Sequence, residues 1–236
     1  WLAEVRGAMA IVLSERRPVP LFQHVMVGRR IYDLFEDSGR EVNPELTRLA
    51  KEESKYVRDD SRRGRGRRQR DRIDANQAKR GNDRPNLIPR RDGAIEKLNA
   101  EGLLPAIYFI FSRAGCDAAV GQLMNSGLRL TTPAERDALD DIAARHVASL
   151  SDDDLQALGY RSFAEALRRG VAAHHAGLLP AFKEAVEEAF IRGLVKVVFA
   201  TETLALGINM PARTVVLEKL VKFNGDAHVD ITPGEY

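Results

Sequence analysis

The strongest constraint on the fold is an apolar run that ends abruptly in polar residues near the end of the chain. Residues Leu194 to Ala200 are almost entirely apolar, and the sequence continues as Thr-Glu-Thr-Leu-Ala-Leu-Gly-Ile-Asn-Met-Pro-Ala up to Ala212. A short apolar run predicts a strand that is buried on both faces, and the hydroxyls and glycine after it predict a turn into a short helix. Because ligands of open α/β sheets bind at the carboxyl ends of the strands, we expect a binding site at this turn.

Further apolar runs alternate with helical patterns over the last two thirds of the chain. Strands are predicted at Ala106 to Phe111, Val171 to Ala173 and Thr214 to Leu217. Helices are predicted at Ala94 to Leu104, Ala114 to Asn125, from Thr132-Pro133 to about Ser149, from Ser151, at Ser162 to Arg169 and at Pro180 to Arg192. This alternation predicts an α/β fold with a doubly wound parallel sheet flanked by helices.

The composition excludes several classes of protein. The single cysteine, Cys116, rules out an internal disulfide and any zinc site built on cysteines, and we expect it to lie in the core. No apolar run approaches the ~20 residues that span a bilayer, and no signal peptide is visible, so a cytoplasmic protein that does not contact membranes is expected. The chain begins at Trp1 rather than Met, which suggests a piece of a longer protein.

The net charge of +2 conceals a strongly basic stretch. Its arginines are Arg62, Arg63, Arg65, Arg67, Arg68, Arg70 and Arg72, and further basic residues follow up to Arg91. The part from about 58 to 91 has too few apolar residues to offset its ordering entropy, so a long disordered basic insertion is expected. Two interpretations stay open, namely electrostatic capture of nucleic acid and a solvated loop with no binding role.

Short polar side chains follow three of the predicted strands. Ser112 and Arg113 follow the first strand, His175 and Gly177 the second, and Thr201 and Thr203 the third. Backbone amides and the helix dipole favour a phosphate at such strand-to-helix turns, so these six residues are candidate contacts to a nucleic-acid backbone. The hydroxyls could also be ordinary helix caps. His174 and His175 have no cysteine or carboxylate at metal-ligand spacing, so no metal site is predicted.

Three segments together resemble the superkiller-type DExH helicases, a branch of helicase superfamily two that includes the actinobacterial HelY-type enzymes. Residues 199–212 resemble motif V of that family, and Pro105 to Cys116, PAIYFIFSRAGC, resembles motif IV. His174 to Pro180, HHAGLLP, is similar to the family's segment between those motifs, and Arg17 to Leu21 is similar to its inter-lobe connector.

The resemblance implies a motor with two RecA-like lobes, of which this chain is the second. It divides the chain into a connector with the first strands at 1–35, the charged insertion at 36–92, and the second lobe at 93–236, which ends before motif VI. Gly207 and Asn209 would face the ATP cleft, although Asn209 could also be a turn residue. The implied cofactors are ATP and Mg²⁺ in the intact enzyme, and the implied partners are single-stranded RNA and the first lobe of the same polypeptide.

Two absences limit what this chain can do by itself. It contains neither a Gly-x-x-x-x-Gly-Lys-Ser/Thr phosphate loop nor an Asp-Glu-x-His sequence, and the arginine-bearing motif VI is expected beyond Tyr236. We therefore assign no catalytic residue and expect the chain alone to be inactive, with no cofactor bound. A DNA helicase of the related repair branch and a non-catalytic nucleic-acid-binding module remain as alternatives.

Overall fold

The computed structural model describes residues 20–36, 39–53, 87–205, 210–223 and 227–232. The chain divides into two compact units, one covering residues 1–88 and the other residues 89–236. Residues 58–86 of the expected basic insertion lie outside the described residues, as do the expected ATP-cleft residues Gly207 and Asn209.

The first unit contains a hairpin and a helix. Strands β1 (His24–Val27) and β2 (Arg30–Asp33) pair in antiparallel register, and Gly28 takes a positive φ of 59° in the turn between them. A helix, α1, covers residues 44–53, which the sequence analysis had grouped with the charged insertion. Its start has a local signal, because the Asn43 side chain accepts a hydrogen bond from the Glu45 N–H at 2.9 Å and a proline follows it.

The second unit is built on a four-stranded parallel sheet. Its strands are β3 (Ala106–Phe109), β4 (Val171–His174), β5 (Val197–Ala200) and β6 (Thr214–Leu217), in the order β4-β5-β3-β6. Ala200 is level with His174 on one side and with Phe109 on the other, and Phe109 is level with Leu217. All four strands therefore end at the same edge, which confirms the predicted α/β fold with a parallel sheet.

Six helices flank this sheet: α2 (Arg91–Ala100), α3 (Arg113–Ser126), α4 (Pro133–His146), α5 (Asp152–Ala157), α6 (Tyr160–Arg168) and α7 (Pro180–Ile191). Two predicted starts are confirmed, since Thr132 forms a capping box with Glu135 and the Ser151 side chain accepts from the Asp154 N–H. Helix α2 ends earlier than predicted because Gly102 follows it with a positive φ of 66°. A second hairpin, β7 (Val221–Phe223) and β8 (His228–Asp230), follows the sheet.

The sheet is covered by helices on both faces. Alternate residues of β5 point to opposite faces, so Val197 and Phe199 pack against α2 and α3, while Val198 and Ala200 pack against α4, α6 and α7. One face of α7 is apolar and buried, with Val186, Ala189 and Phe190 at 0% exposure and Phe182 at 3%. Cys116 is buried among the residues around α3, as expected. This two-faced core holds the strand ends rigidly, and the polar turns are built on them.

Candidate nucleic-acid interface

Three predicted turns lie side by side at the carboxyl edge of the sheet. Strand β5 lies between β4 and β3, so the turn at Thr201 lies between the turn that starts at His175 and the turn that contains Ser112. Neighbouring strands are about 4.8 Å apart, so the three turns form a row about 10 Å long. The structure thus brings together residues that the sequence separates by up to ninety positions.

The turn after β3 presents a hydroxyl and a guanidinium to solvent. Ser112 is the N-cap of α3, and its Oγ accepts a hydrogen bond from the Gly115 N–H at 3.2 Å. This cap uses a lone pair of the hydroxyl and leaves its proton available as a donor. Arg113 is exposed, and among the described residues it forms no ion pair. The cap interpretation and the phosphate-contact interpretation of Ser112 are therefore compatible.

The turn after β4 is organised by His175. Its side chain is 5% exposed, and its Nε2 lies 3.0 Å from Oδ1 of Asp117 on α3. The Gly177 N–H donates to His175 Nδ1 at 3.1 Å. Because Nδ1 accepts, the proton of the neutral ring lies on Nε2 and is donated to Asp117. Sequence reasoning missed Asp117, for which no local pattern gave a signal.

Gly177 lies where any larger residue would crowd its neighbours. A Cβ built on Gly177 would lie 3.2 Å from Nδ1 of His175 and 3.6 Å from Cδ of Arg113. The first distance is shorter than ordinary van der Waals contact, and the second shows that the Arg113 stem packs against this turn. The Arg113 side chain therefore extends from the turn after β3 to the turn after β4.

Thr201 is 9% exposed, and its N–H lies 3.4 Å from the carbonyl oxygen of His174. It opens a single turn of 3₁₀ helix, Glu202–Ala205, with the Leu204 N–H donating to the Thr201 carbonyl at 3.1 Å. Thr203 belongs to this turn. The predicted short helix after β5 is thus present as a 3₁₀ turn.

His174 is next to His175 in sequence, but its side chain forms its hydrogen bond on the opposite face of the sheet. Its Nε2 lies 2.7 Å from Oε1 of Glu187 on α7, and its Nδ1 is buried without a protein partner among the described residues. Each histidine contacts a single carboxylate, and no group of three or more His, Cys, Asp or Glu side chains in the described ranges could hold a metal ion.

The fourth strand end carries an acidic residue that is already paired. Glu218 follows β6 and forms a bidentate ion pair with Arg91 of α2, at 2.7 and 2.8 Å. Arg91 also donates to Oε1 of Gln122 at 3.1 Å. Burial together with Glu218 raises the pKa of Tyr108 to about 12, so that phenol stays protonated. Pairing with Arg91 offsets the negative charge that Glu218 would otherwise present near a phosphate.

Two of the three turns favour an anion, whereas the third carries Glu202, which pairs with Lys222 at 3.2 Å. Helices α3 and α7 both begin at this edge, and neither has an acidic residue in its first turn. The partial positive charge of a helix N-terminus then acts together with the unpaired Arg113. Within the parts of the chain that the structure describes, no helix is long and apolar enough to cross a membrane.

A four-stranded parallel sheet covered by helices on both faces, with helices α3 and α7 beginning at its carboxyl edge, defines the chain's second unit as an α/β domain. No family model matches the chain. The whole chain is 53% identical over 245 residues to the probable helicase HelY of Mycobacterium tuberculosis. It is also 36% identical over 252 residues to the chloroplastic DExH-box ATP-dependent RNA helicase DExH15 of Arabidopsis thaliana, again along its whole length.

A third relative, the human superkiller complex protein 2, is 44% identical over 142 residues, which is 60% of the chain and 11% of that protein. The relatives include HelY helicases, DExH-box RNA helicases and a superkiller protein, so the chain belongs to the superkiller-type DExH helicases, which confirms the family predicted from the motifs. The chain spans 26% of the length of the Mycobacterium tuberculosis relative and 21% of that of DExH15.

Proposed function

We propose that this chain is the second RecA-like lobe of an ATP-dependent RNA helicase, in which it binds the backbone of single-stranded RNA along the carboxyl edge of its sheet. The observation that carries this proposal is the alignment of the entire chain with a probable helicase at 53% identity. The relative named as a DExH-box ATP-dependent RNA helicase supports RNA as the substrate.

The geometry of the edge supports binding to the sugar–phosphate backbone. The Ser112 hydroxyl and the Arg113 guanidinium offer donors in a row that also contains the turns at Gly177 and Thr201. Backbone amides and hydroxyls contact phosphates irrespective of base identity. A motor that moves along a strand needs this kind of contact, because it must bind every nucleotide in turn.

In this proposal, ATP and Mg²⁺ are bound mainly by residues of the first lobe. The chain contains no phosphate loop and no Asp-Glu-x-His sequence, so the first lobe of the same polypeptide supplies both. Gly207 and Asn209 of this chain contribute one face of the ATP cleft, by resemblance to motif V. The chain alone then does not hydrolyse ATP, and the intact helicase acts in the cytoplasm.

The test is ATP hydrolysis by the full-length protein that contains this chain. Turnover is measured without nucleic acid, with single-stranded RNA, and with single-stranded DNA of the same sequence. We expect stimulation by RNA well above that by DNA, and no turnover by the isolated chain. Equal stimulation by RNA and DNA would favour a DNA helicase over an RNA helicase. No stimulation by either would favour a non-catalytic nucleic-acid-binding module.

A further inference from the structure

The two adjacent histidines at the end of β4 connect one turn to both helical layers. His174 contacts Glu187 of α7 at 2.7 Å, and His175 contacts Asp117 of α3 at 3.0 Å. Consecutive residues of a strand point to opposite faces, so the two rings reach opposite sides of the sheet. The two histidines therefore tie the end of β4 to both helical layers, and only His175 belongs to the turn that follows.

His175 also holds the turn itself. Its Nδ1 accepts the Gly177 N–H at 3.1 Å, and its carbonyl oxygen accepts the Leu178 N–H at 3.1 Å. Asp117 accepts the ring proton on Nε2, which keeps Nδ1 free to accept. Oδ1 of Asp117, which lies one helical turn from Arg113, is thereby bonded to His175.

One amide of the turn remains available. Of the three amides at residues 176–178, those of Gly177 and Leu178 are used by His175, and the Ala176 N–H has no acceptor within residues 87–205 or elsewhere in the described chain. Ala176 and Gly177 are exposed, and the Arg113 stem packs against Gly177. A turn with one unbonded amide therefore lies against the stem of an arginine that forms no ion pair with the described residues.

We propose that His175 is a positioning residue for RNA binding: it does not touch the strand but shapes the turn so that the Ala176 N–H and Arg113 are available to the phosphate backbone. This rests on the proposed function. A 5% exposed ring with both nitrogens already bonded is suited to this role and leaves little of itself for a direct contact.

The test compares His175→Leu with His175→Asn in the full-length enzyme. Leucine has no acceptor for the Gly177 N–H, whereas the asparagine Oδ1 can accept the N–H two residues on, as in an Asx turn. We expect His175→Leu to raise the KM for single-stranded RNA in the ATPase assay by about fivefold, the effect of one hydrogen bond. His175→Asn should raise it less than twofold, and neither should change the KM for ATP more than twofold.

Glu187→Ala is the matched control, because it breaks the histidine–carboxylate pair on the other face without touching the turn amides. We expect it to lower the thermal midpoint while leaving the KM for RNA within twofold. An equal rise of that KM in Glu187→Ala and His175→Leu would overturn the proposal in favour of general destabilisation. An equal rise of the KM for RNA in His175→Asn and His175→Leu would also overturn the proposal.

Amide hydrogen exchange of this chain separates failure of the inference from failure of the proposed function. The Gly177 amide should be protected in the natural sequence and in His175→Asn but not in His175→Leu, while the Ala176 amide should exchange freely in all three. An unprotected Gly177 amide in the natural sequence would refute the positioning role. Absence of RNA stimulation in the unaltered enzyme would instead refute the proposed function.

Discussion

Arg113 should contribute one phosphate contact, and its removal gives a quantitative test of the interface. It is exposed, forms no ion pair with any described residue, and its stem packs against Gly177. An ion pair at such an exposed site is worth about 1 kcal/mol, the upper end for solvent-exposed pairs. Arg113→Ala should therefore weaken binding of single-stranded RNA about fivefold near 0.1 M salt.

The salt dependence of RNA binding gives a second, independent prediction for Arg113→Ala. Each phosphate neutralised on a single strand contributes about 0.7 to the slope of log K against log salt. The slope should become shallower by about 0.7 in Arg113→Ala. The loss of affinity should then shrink from about eightfold at 50 mM to about threefold at 200 mM.

The measurement is fluorescence anisotropy of a labelled single-stranded RNA with the full-length protein at several KCl concentrations. Arg129→Ala is the matched control, because Arg129 is also exposed and forms no ion pair with the described residues. It lies at the opposite edge of the sheet, since the next residue, Leu130, donates its N–H to Arg169 just before β4. Equal changes of slope in Arg113→Ala and Arg129→Ala would show that only overall charge matters, and would refute the interface.

Three further predictions concern stability and reactivity of this chain. Thr132→Ala removes the capping box with Glu135 and should cost about 1 kcal/mol, which lowers the midpoint of thermal unfolding by about 2–4 °C; an unchanged midpoint would contradict the cap. Hydrogen bonds from Arg145 above all lower the pKa of Glu188 from 4.5 to about 2, so the stabilisation it gives is complete above pH 4.5 and is lost as the pH falls towards 2. In Glu188→Gln the midpoint of thermal unfolding should therefore fall less between pH 4.5 and pH 2 than it does in the natural chain. An equal fall in both proteins would refute a stabilising role for the Glu188 charge. Burial raises the pKa of Cys116 to about 12, so its thiol should react with a disulfide reagent at pH 8 only as fast as the chain unfolds, and rapid labelling of the folded chain would contradict its burial.

Most helices and strands could be predicted because their signals, helix caps and apolar runs, lie within a few residues of one another in the sequence. Proline and hydroxyl caps mark helix starts regardless of the rest of the chain, which is why the starts at Pro133 and Asp152 were predicted correctly. Short apolar runs likewise marked the four parallel strands, although their bounds shifted by up to three residues. The helix at 44–53 was missed because charged surroundings outweighed a local start signal at Asn43.

The sequence by itself determined which residues follow a strand end, and therefore which could reach the binding edge. It could not determine their order along that edge, because the order β4-β5-β3-β6 depends on which strands pair after folding. It could not reveal that His175 contacts Asp117, 58 residues earlier, or that Glu218 contacts Arg91, 127 residues earlier. Caps and apolar runs act through neighbours in the chain, whereas these contacts depend on the packing of whole helices against the sheet, and only the tertiary structure decides them.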